Sequence, residues 1–288
     1  MSSPTKAILL MIAAIFCFSS MDMMAKLLAE RVGTLTTLWV RYTGQALLVT
    51  ALILPDFRRI MRTSYPKLQL ARSVCLLGAT GFFFFGISNI GLAQAASVMS
   101  TNPVFITLGA AFFLGERFGL RRAAAILAAF GGAYLVIRPG SAVFSPYALL
   151  PLAAAMCYSA YALVTRFVGR DEDAWTSLFY TALFGAAVLT LSLPLYGQKL
   201  GLSDVPLMVG ITLCATLGQL ALIRALMAGE AAMLAPFSYA GILFALVYGF
   251  FVFSAVPDLY TLIGALVIAA SGIYVWHRET YAKPKSKP

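Results

Sequence analysis

An acidic side chain, Asp22, lies inside the long apolar segment that opens the chain, within the stretch CFSSMDMMAK. A carboxylate at the centre of a membrane-spanning helix costs about 2.5–3.5 kcal/mol on insertion scales. Such a group is expected to face neighbouring helices or a cavity, where it can bind a proton or a cation. An ion pair with Lys26 is the alternative, because side chains four residues apart on a helix are neighbours.

Neutral amides and hydroxyls occur in the other apolar segments and have the chemistry to hold a small polar molecule. Asn102 and Gln219 each carry donors and an acceptor, so both can bind the ammonium and carboxylate groups of a zwitterion. Hydrogen bonds between helices are the alternative use of such amides. Tyrosine rings can hold an apolar side chain and stack on a flat one, or pack against other helices. The candidate substrate-binding residues are Ser19, Asn89, Asn102, Tyr158, Tyr161, Gln219 and Tyr239.

Three further residues are candidates for gating. Lys26 and Arg166 each end an apolar segment, which fits side chains that extend to the membrane interface as well as a pair of cationic gates. Pro103 removes a backbone hydrogen bond from its helix. A helix broken at mid-depth can present free carbonyl groups to a ligand, whereas a packing kink has no such role. The candidate coupling or gating residues are therefore Asp22, Lys26, Pro103 and Arg166.

The composition requires a membrane around these residues. The chain has 288 residues, 61% hydrophobic and 11% charged, and its mean hydropathy is +0.87. Soluble domains carry about 25% charged residues. Long unbroken apolar runs favour helices over the short alternating strands of a barrel. We predict an all-α integral membrane protein with ten transmembrane helices, near residues 6–28, 34–54, 69–91, 94–114, 121–138, 147–166, 175–196, 204–225, 232–254 and 259–277.

Residues 140 positions apart match in the first and last spans of the two halves. The matched pairs are Cys17/Cys157, Ser19/Ser159, Lys26/Arg166, Gly132/Gly272, Tyr134/Tyr274 and Arg138/Arg278. Each half, residues 1–140 and 141–288, holds five predicted spans, and an odd number requires the second copy to be inverted. Inverted repeats of this kind build secondary transporters, whose substrate site lies near the midplane between the halves.

The basic residues predict the orientation of the spans. With the N-terminus in the cytoplasm, 16 of the 21 lysines and arginines fall inside and 5 outside, as the positive-inside rule expects. The five outside are Lys26, Arg31, Arg41, Arg138 and Lys199. Both termini are therefore predicted to be cytoplasmic. The net charge of +10 is attributed to cytoplasmic loops, and no nucleic-acid partner is expected.

Several other classes of protein are disfavoured. The single histidine, His277, ends the last predicted span, and the sequence holds neither HExxH nor GxSxG, so no enzymatic activity and no cofactor are expected. Without a P-loop a primary pump is disfavoured, and isolated amides with one deep acid fit an occluded site better than a channel. The expected partners are a small-molecule substrate, membrane lipid and protons, for a monomer or weak dimer.

The fourth and fifth predicted spans, with the loop between them, contain the stretch ASVMSTNPVFITLGAAFFLGERFGLRRAAAILAAFGGAYLVI. Its Pro103, the segment Leu114–Glu116 and the pair Gly131–Gly132 resemble the EamA type of the drug/metabolite transporter superfamily. The second half is similar to the same repeat, except that Ser254–Ala255 stands where the repeat often has Gly-Glu. The resemblance implies ten helices in two inverted five-helix repeats around a central cavity.

The same resemblance implies carriage of small metabolites by alternating access across a bacterial inner membrane. The nearest subfamily is that of the aromatic amino-acid exporters, so that export of aromatic or neutral amino acids is the favoured expectation. Two alternatives stay open. One is import of a vitamin or another metabolite, similar to riboflavin or S-adenosylmethionine, and the other is export of planar organic cations.

Overall fold

The computed structural model describes residues 3–102, 104–106, 108–109, 120–138, 145–169, 171–228 and 234–281. This part of the chain is helical and contains no β-strand. Its α-helices are α1 (Ser3–Val32), α2 (Thr34–Ile53), α3 (Phe57–Ile60), α4 (Pro66–Asn89), α5 (Leu92–Met99), α6 (Leu120–Ile137), α7 (Leu150–Val168), α8 (Ala174–Tyr196), α9 (Val205–Ala228), α10 (Ala240–Phe253) and α11 (Leu259–Tyr281). Short 3-10 helices occupy Leu54–Asp56, Pro146–Leu149, Leu202–Asp204 and Ala235–Tyr239.

Within the described ranges, six segments are long and apolar enough to cross a membrane. They are Thr5–Val32, Thr34–Ile60, Pro66–Asn89, Pro146–Val168, Ala174–Tyr196 and Leu202–Ala228, at predicted spans 1–3 and 6–8. Shorter apolar helices cover Leu127–Ile137, Phe237–Phe253 and Leu259–Ser271, at predicted spans 5, 9 and 10. Span 4 lies partly outside the described residues. The protein is therefore a multi-pass membrane protein, and the full set of ten spans remains a prediction.

Local sequence accounts for several helix boundaries. Gly33 separates α1 from α2 with a φ of 78°, a conformation that a residue with a Cβ atom adopts only at a cost. Pro66 begins α4, where its missing N–H leaves no helical hydrogen bond unmade. The carboxylate of Asp173 caps α8 by accepting a hydrogen bond of 3.0 Å from Trp175 N, which satisfies one of the free donors of the first turn.

The helices of the two halves pack in equivalent pairs. α1 packs on α9 as α7 packs on α4, and α2 packs on α9 as α8 packs on α4. Likewise, α1 contacts α10 and α7 contacts α5, while α2 pairs with α8 and α6 with α11. If each helix is replaced by its counterpart in the other half, each of these helix pairs becomes another pair of the set or the same pair again. This packing fits the two-repeat fold that the sequence predicts.

Glycines bring α6 and α11 into close contact. A Cβ atom placed on Gly132 would lie 2.8 Å from the carbonyl oxygen of Gly264, and one placed on Gly264 would lie 2.6 Å from the carbonyl oxygen of Gly132. Ile268 fills the space beside Gly132. Small residues at such an interface let the two backbones approach each other, as in other membrane helix pairs.

Polar contacts join the ends of two equivalent helix pairs. At the end of α1, Arg31 Nη1 donates to Asp204 Oδ1 across 3.3 Å, immediately before α9. Asp204 Oδ2 also accepts a hydrogen bond of 3.0 Å from Gly201 N. These two interactions tie the C-terminal end of α1 to the loop that leads into α9.

The corresponding ends of α7 and α4 are joined by acidic residues that follow α7. Glu172 accepts hydrogen bonds from Ser64 N at 2.7 Å and from Gln69 Nε2 at 2.5 Å. The Tyr65 hydroxyl donates to Asp171 Oδ2 across 2.7 Å. This hydrogen bond, together with the negative charges of Asp171 and Glu172, raises the pKa of Tyr65.

Candidate functional site

A cavity of ≈ 160 Å³ lies among helices of both halves. Its described lining comes from α1, α2, α4, α5, α7, α9 and α10, together with Asn102 and Ser238. Most of the wall is apolar and includes Phe18, Phe83 and Phe84. Ligand sites are commonly lined in this way, with a mainly apolar wall and a few polar groups that fix the orientation of the ligand.

Five of the sequence-predicted site residues line this cavity. They are Ser19, Asp22, Asn102, Tyr158 and Gln219. The first two lie on α1, Tyr158 lies on α7 and Gln219 on α9, so both repeats contribute. Helix packing brings together side chains that are up to 200 positions apart in sequence.

Several of these polar groups have no hydrogen-bond partner among the residues that the structure describes. The side chains of Ser19, Asp22 and Asn102 make no hydrogen bond to another described residue, and the same holds for the hydroxyl of Tyr158. Asn102 is held in place through its backbone carbonyl, which accepts a hydrogen bond of 2.9 Å from Ser159 Oγ. Buried polar groups normally find partners, so unpartnered groups around a cavity indicate a ligand site.

Arg166 lies beside a second, smaller cavity of ≈ 30 Å³. The two cavities share Met11, Asn102, Tyr158 and Leu222 among their lining residues, and are therefore adjacent. The Arg166 side chain borders this second cavity, is not among the described lining residues of the central one, and lies in the last turn of α7.

Lys26 lies outside the described cavity lining. Its Nζ donates to the Ile87 carbonyl oxygen across 2.7 Å and lies 4.0 Å from Glu30 Oε1. The same nitrogen is 5.4 Å from the ring centre of Phe253. Lys26 thus joins the ends of α1, α4 and α10 and does not pair with Asp22. Pro103, the remaining gating candidate, lies outside the described residues.

Three predicted binding residues also lie away from the described cavity lining. Asn89 is exposed at the end of α4, where its Nδ2 donates to Phe85 O across 2.8 Å. Tyr239 is buried with Ala133 and Ile268, and its hydroxyl has no hydrogen bond within the part of the chain that the structure describes. Tyr161 is fully buried behind the cavity wall, with its ring centre 6.0 Å from that of Tyr158.

The hydroxyl of Tyr161 belongs to a buried network around Arg72. This guanidinium, 0% exposed, donates from Nε to Thr165 Oγ1 (2.7 Å) and from Nη2 to Tyr161 (3.0 Å). Its Nη1 donates to Gln69 Oε1 and to the Ser177 carbonyl oxygen, both at 2.9 Å. Every nitrogen of Arg72 thus has an acceptor, as a buried charge requires. Arg72 is a structural tie between α4, α7 and α8.

Gln219 connects this network to the cavity. Its Nε2 donates to the Tyr161 hydroxyl across 2.8 Å, which fixes the orientation of the amide. Its Oε1 is buried and has no donor among the residues described. The side chain therefore offers an acceptor at the cavity wall, in an orientation set by Tyr161.

Arg41 is a cavity residue that the sequence analysis did not select. It lies on α2, is 2% exposed and lines the central cavity. Its Nε donates to Met21 Sδ across 3.3 Å, and its guanidinium lies 4.4 Å from the ring centre of Tyr42. The available signal was its position seven residues beyond Thr34, well inside the second apolar segment.

This arrangement is suited to reversible binding. The described ranges contain no group of three His, Cys, Asp or Glu side chains that could hold a metal ion. The cavity instead combines one carboxylate, one guanidinium, amides and hydroxyls with aromatic walls. Such a set can hold a small molecule by charge, hydrogen bonds and ring contacts at once.

Comparison with known families agrees with this architecture. The sequence model of the EamA-like transporter family matches residues 5–138 and again residues 145–276. One solved crystal structure aligns with a TM-score of 0.71 over 98% of this chain and 99% of its own length, at 20% sequence identity. At that identity, the structural likeness concerns the fold alone.

Three similar proteins of known role come from different bacteria. A riboflavin transporter of Rhizobium johnstonii is 30% identical over 236 residues, 78% of this chain and 76% of that protein. An S-adenosylmethionine uptake transporter of Rickettsia bellii is 22% identical over 93% of this chain and 92% of its own length. A pseudopaline exporter of Pseudomonas aeruginosa is 28% identical over 92% of this chain and 94% of its own length. None of these three is named as an exporter of aromatic amino acids.

Proposed function

The chain belongs to the EamA-like transporter family, and we propose that it moves small metabolites through its central cavity, above all by export of aromatic or neutral amino acids. The observation that carries this proposal is the cavity in which Asp22 lies with amide and hydroxyl groups inside aromatic walls. An amino acid needs acceptors for its ammonium group and an apolar space for its side chain. Asp22, Asn102 and Gln219 supply acceptors, and rings such as Phe83 supply the space.

Alternating access follows from the repeated architecture. Two inverted halves can exchange conformations, so that the cavity opens to one side of the membrane and then to the other. Lys26 and Arg166, which correspond in the two halves, are the proposed gates, and Pro103 is a further candidate. Asp22 is the proposed site for a coupling proton.

The proposed setting is a bacterial inner membrane with both termini in the cytoplasm. The repeats are assigned to residues 1–140 and 141–288, and the functional unit is a monomer or weak dimer surrounded by lipid. The basic residues support this orientation, since 16 of the 21 fall on the proposed cytoplasmic side.

Uptake of a vitamin or another metabolite is the second candidate function. Relatives named for riboflavin and S-adenosylmethionine transport favour it, and the aromatic walls would accept a flat ring system. Export of planar organic cations is a third use of the same walls, with Asp22 as the counter-charge. Inverted repeats work in both directions, and gradients decide the net flow.

Counterflow in proteoliposomes tests these functions directly. Purified protein is reconstituted with an internal excess of each unlabelled candidate, and entry of the same labelled compound is followed. We expect counterflow with an aromatic amino acid, and resistance to toxic aromatic analogues in cells that overproduce the protein. Counterflow of a labelled vitamin without that of any amino acid would replace the export proposal with the uptake candidate.

A further inference from the structure

The free end of the Arg41 side chain is the feature from which this inference starts. A guanidinium has five N–H donors, and among the described residues only Nε of Arg41 has a hydrogen-bond acceptor, the weakly accepting sulfur of Met21. Neither Nη1 nor Nη2 donates to any described acceptor, although the side chain is 2% exposed. A buried cation without acceptors is costly, and this cost indicates that a ligand completes the site.

Arg72 provides an internal comparison. It is equally buried, yet each of its nitrogens donates to an oxygen of the protein. The fold is therefore able to satisfy a buried guanidinium completely when the role is structural. Arg41 differs because its planar fork, which can bind a carboxylate through two parallel hydrogen bonds, is unfilled and borders the cavity.

Asp22 lines the same cavity with the opposite charge. No ion pair within 4.0 Å joins Asp22 to Arg41 or to another cation in the described part of the chain. Gln219 Oε1, a further acceptor, also lacks a donor there. Arg41 and Asp22 lie near enough for their charges to interact, but no hydrogen bond joins them in the described part of the chain, so the hydrogen-bonding groups of both remain open to a ligand.

We infer that the cargo is a zwitterion, whose carboxylate binds the Arg41 fork and whose ammonium group binds Asp22. This inference rests on the proposed transport function and specifies the class of molecule that the site takes. A cargo with one charge would leave the hydrogen-bonding groups of either Arg41 or Asp22 without a charged partner, and an uncharged flavin would give neither residue a charged partner. A zwitterion satisfies both charges, and the apolar walls then receive its side chain.

Binding of matched ligands to the purified full-length protein tests the inference. Each of two zwitterions, L-phenylalanine and L-tryptophan, is compared with its amine (phenethylamine, tryptamine) and its acid (3-phenylpropionate, indole-3-propionate). Riboflavin serves as the uncharged ligand, and affinities come from thermal-unfolding titrations. We expect at least one amino acid to bind about tenfold more tightly than both of its partial analogues, since hydrogen bonds to a charged group are worth about that much.

Two variants assign each charge to its residue. Arg41→Gln should weaken binding of the amino acid about tenfold and leave binding of the matching amine unchanged. Asp22→Asn should likewise weaken the amino acid and spare the matching acid. Arg59→Gln, which removes a side chain 70% exposed on the short helix α3, is the control and should change neither. If Arg41→Gln does not fold, Arg41→Lys retains the charge without the fork and should show a smaller loss of the same selectivity.

Certain outcomes overturn the inference. The first is an amine that binds as tightly as its amino acid. The second is that neither zwitterion binds, whether or not riboflavin does. The third is that Arg41→Gln weakens binding of the amino acid and of the matching amine equally. Counterflow separates this result from the proposed function. A zwitterion that binds but does not move contradicts export and leaves the binding site standing, whereas counterflow of an uncharged or singly charged cargo supports transport and contradicts the zwitterion site.

Discussion

Cys17 packs directly against Gly218, so that a Cβ atom placed on this glycine would lie 2.9 Å from the Cys17 Cβ. Cys157 lies against Gly78 in the same manner, with 3.4 Å to its Sγ. Both the cysteines and the glycines are 140 positions apart. The repeat that is visible in the sequence thus recurs as an equivalent contact, α1 on α9 in one place and α7 on α4 in the other.

This relationship predicts a steric effect at Gly218. Gly218→Ala should destabilise the protein by about 1–3 kcal/mol, because the added carbon overpacks a tight contact with Cys17. Gly78→Ala should cost less, since its nearest atom lies at an ordinary 3.4 Å. Gly81→Ala on α4 is the control, because no described atom lies within 4 Å of its Cβ position. Thermal unfolding in detergent gives the order, and equal transition temperatures for the three variants would contradict it.

The repeat and most helices could be predicted because matched residues and apolar runs are properties of the sequence itself. Asp22, Asn102 and Gln219 were selected for the same reason, since each is a polar residue in an apolar segment. Tyr158 and Tyr161 show the limit of this reasoning. They lie three residues apart on α7, and only the first lines the cavity, because packing with other helices determines which face of an apolar helix meets it.

Arg41 and Arg72 show a second limit. Both were counted with the basic residues that predict the orientation of the spans, whereas the structure buries them at 2% and 0% exposure. Each lies about two turns inside its helix, and only tertiary contacts tell a buried arginine from one that extends to the interface. Three of the partners of Arg72, namely Thr165, Ser177 and Tyr161, lie about 100 positions away in sequence.

Tyr161 should act by positioning Gln219. Tyr161→Phe removes the acceptor of Gln219 Nε2 and of Arg72 Nη2, and buried donors left without partners cost about 1–3 kcal/mol. We expect a lower unfolding temperature together with weaker substrate binding. Tyr158→Phe is the matched comparison, because its hydroxyl has no hydrogen bond to a described residue. Tyr158→Phe should alter transport with little change in the unfolding temperature. If Tyr158→Phe instead lowers the unfolding temperature and Tyr161→Phe does not, Tyr158 is the structural residue and the positioning role of Tyr161 is contradicted.

Asp22 should be required for transport and dispensable for folding. Asp22→Asn keeps the shape of the side chain and removes its charge, so expression and membrane insertion should remain near normal. Transport in proteoliposomes should fall about tenfold or more, as expected for loss of a charged partner. Asp56→Asn, the same change at a carboxylate with 62% side-chain exposure just before α3, should retain activity. Full transport by Asp22→Asn would exclude the carboxylate from both binding and coupling.

The proposed orientation is open to a direct test with topology reporters. A fusion after Pro288 should report the cytoplasm, and a reporter in the loop near Ser141 should report the opposite side. The reason is the distribution of basic residues, 16 against 5, with an odd number of spans in each half. If both reporters lie on one side, the second half, which lies between the two points, holds an even number of spans. That result would contradict the inverted repeat of five spans.

The two polar connections at the helix ends should open separately, because alternating access requires that the two sides are not open at the same time. Glu172→Ala removes the acceptor of Ser64 N and Gln69 Nε2, so amide exchange at residues 61–69 should become about tenfold faster. Asp204→Ala removes the acceptor of Gly201 N and the partner of Arg31, and should accelerate exchange at residues 198–206 instead. Hydrogen–deuterium exchange with mass spectrometry measures both regions in each variant. Faster exchange at both ends in either variant would show that the two connections break together, which would contradict their use as separate closures of the two sides.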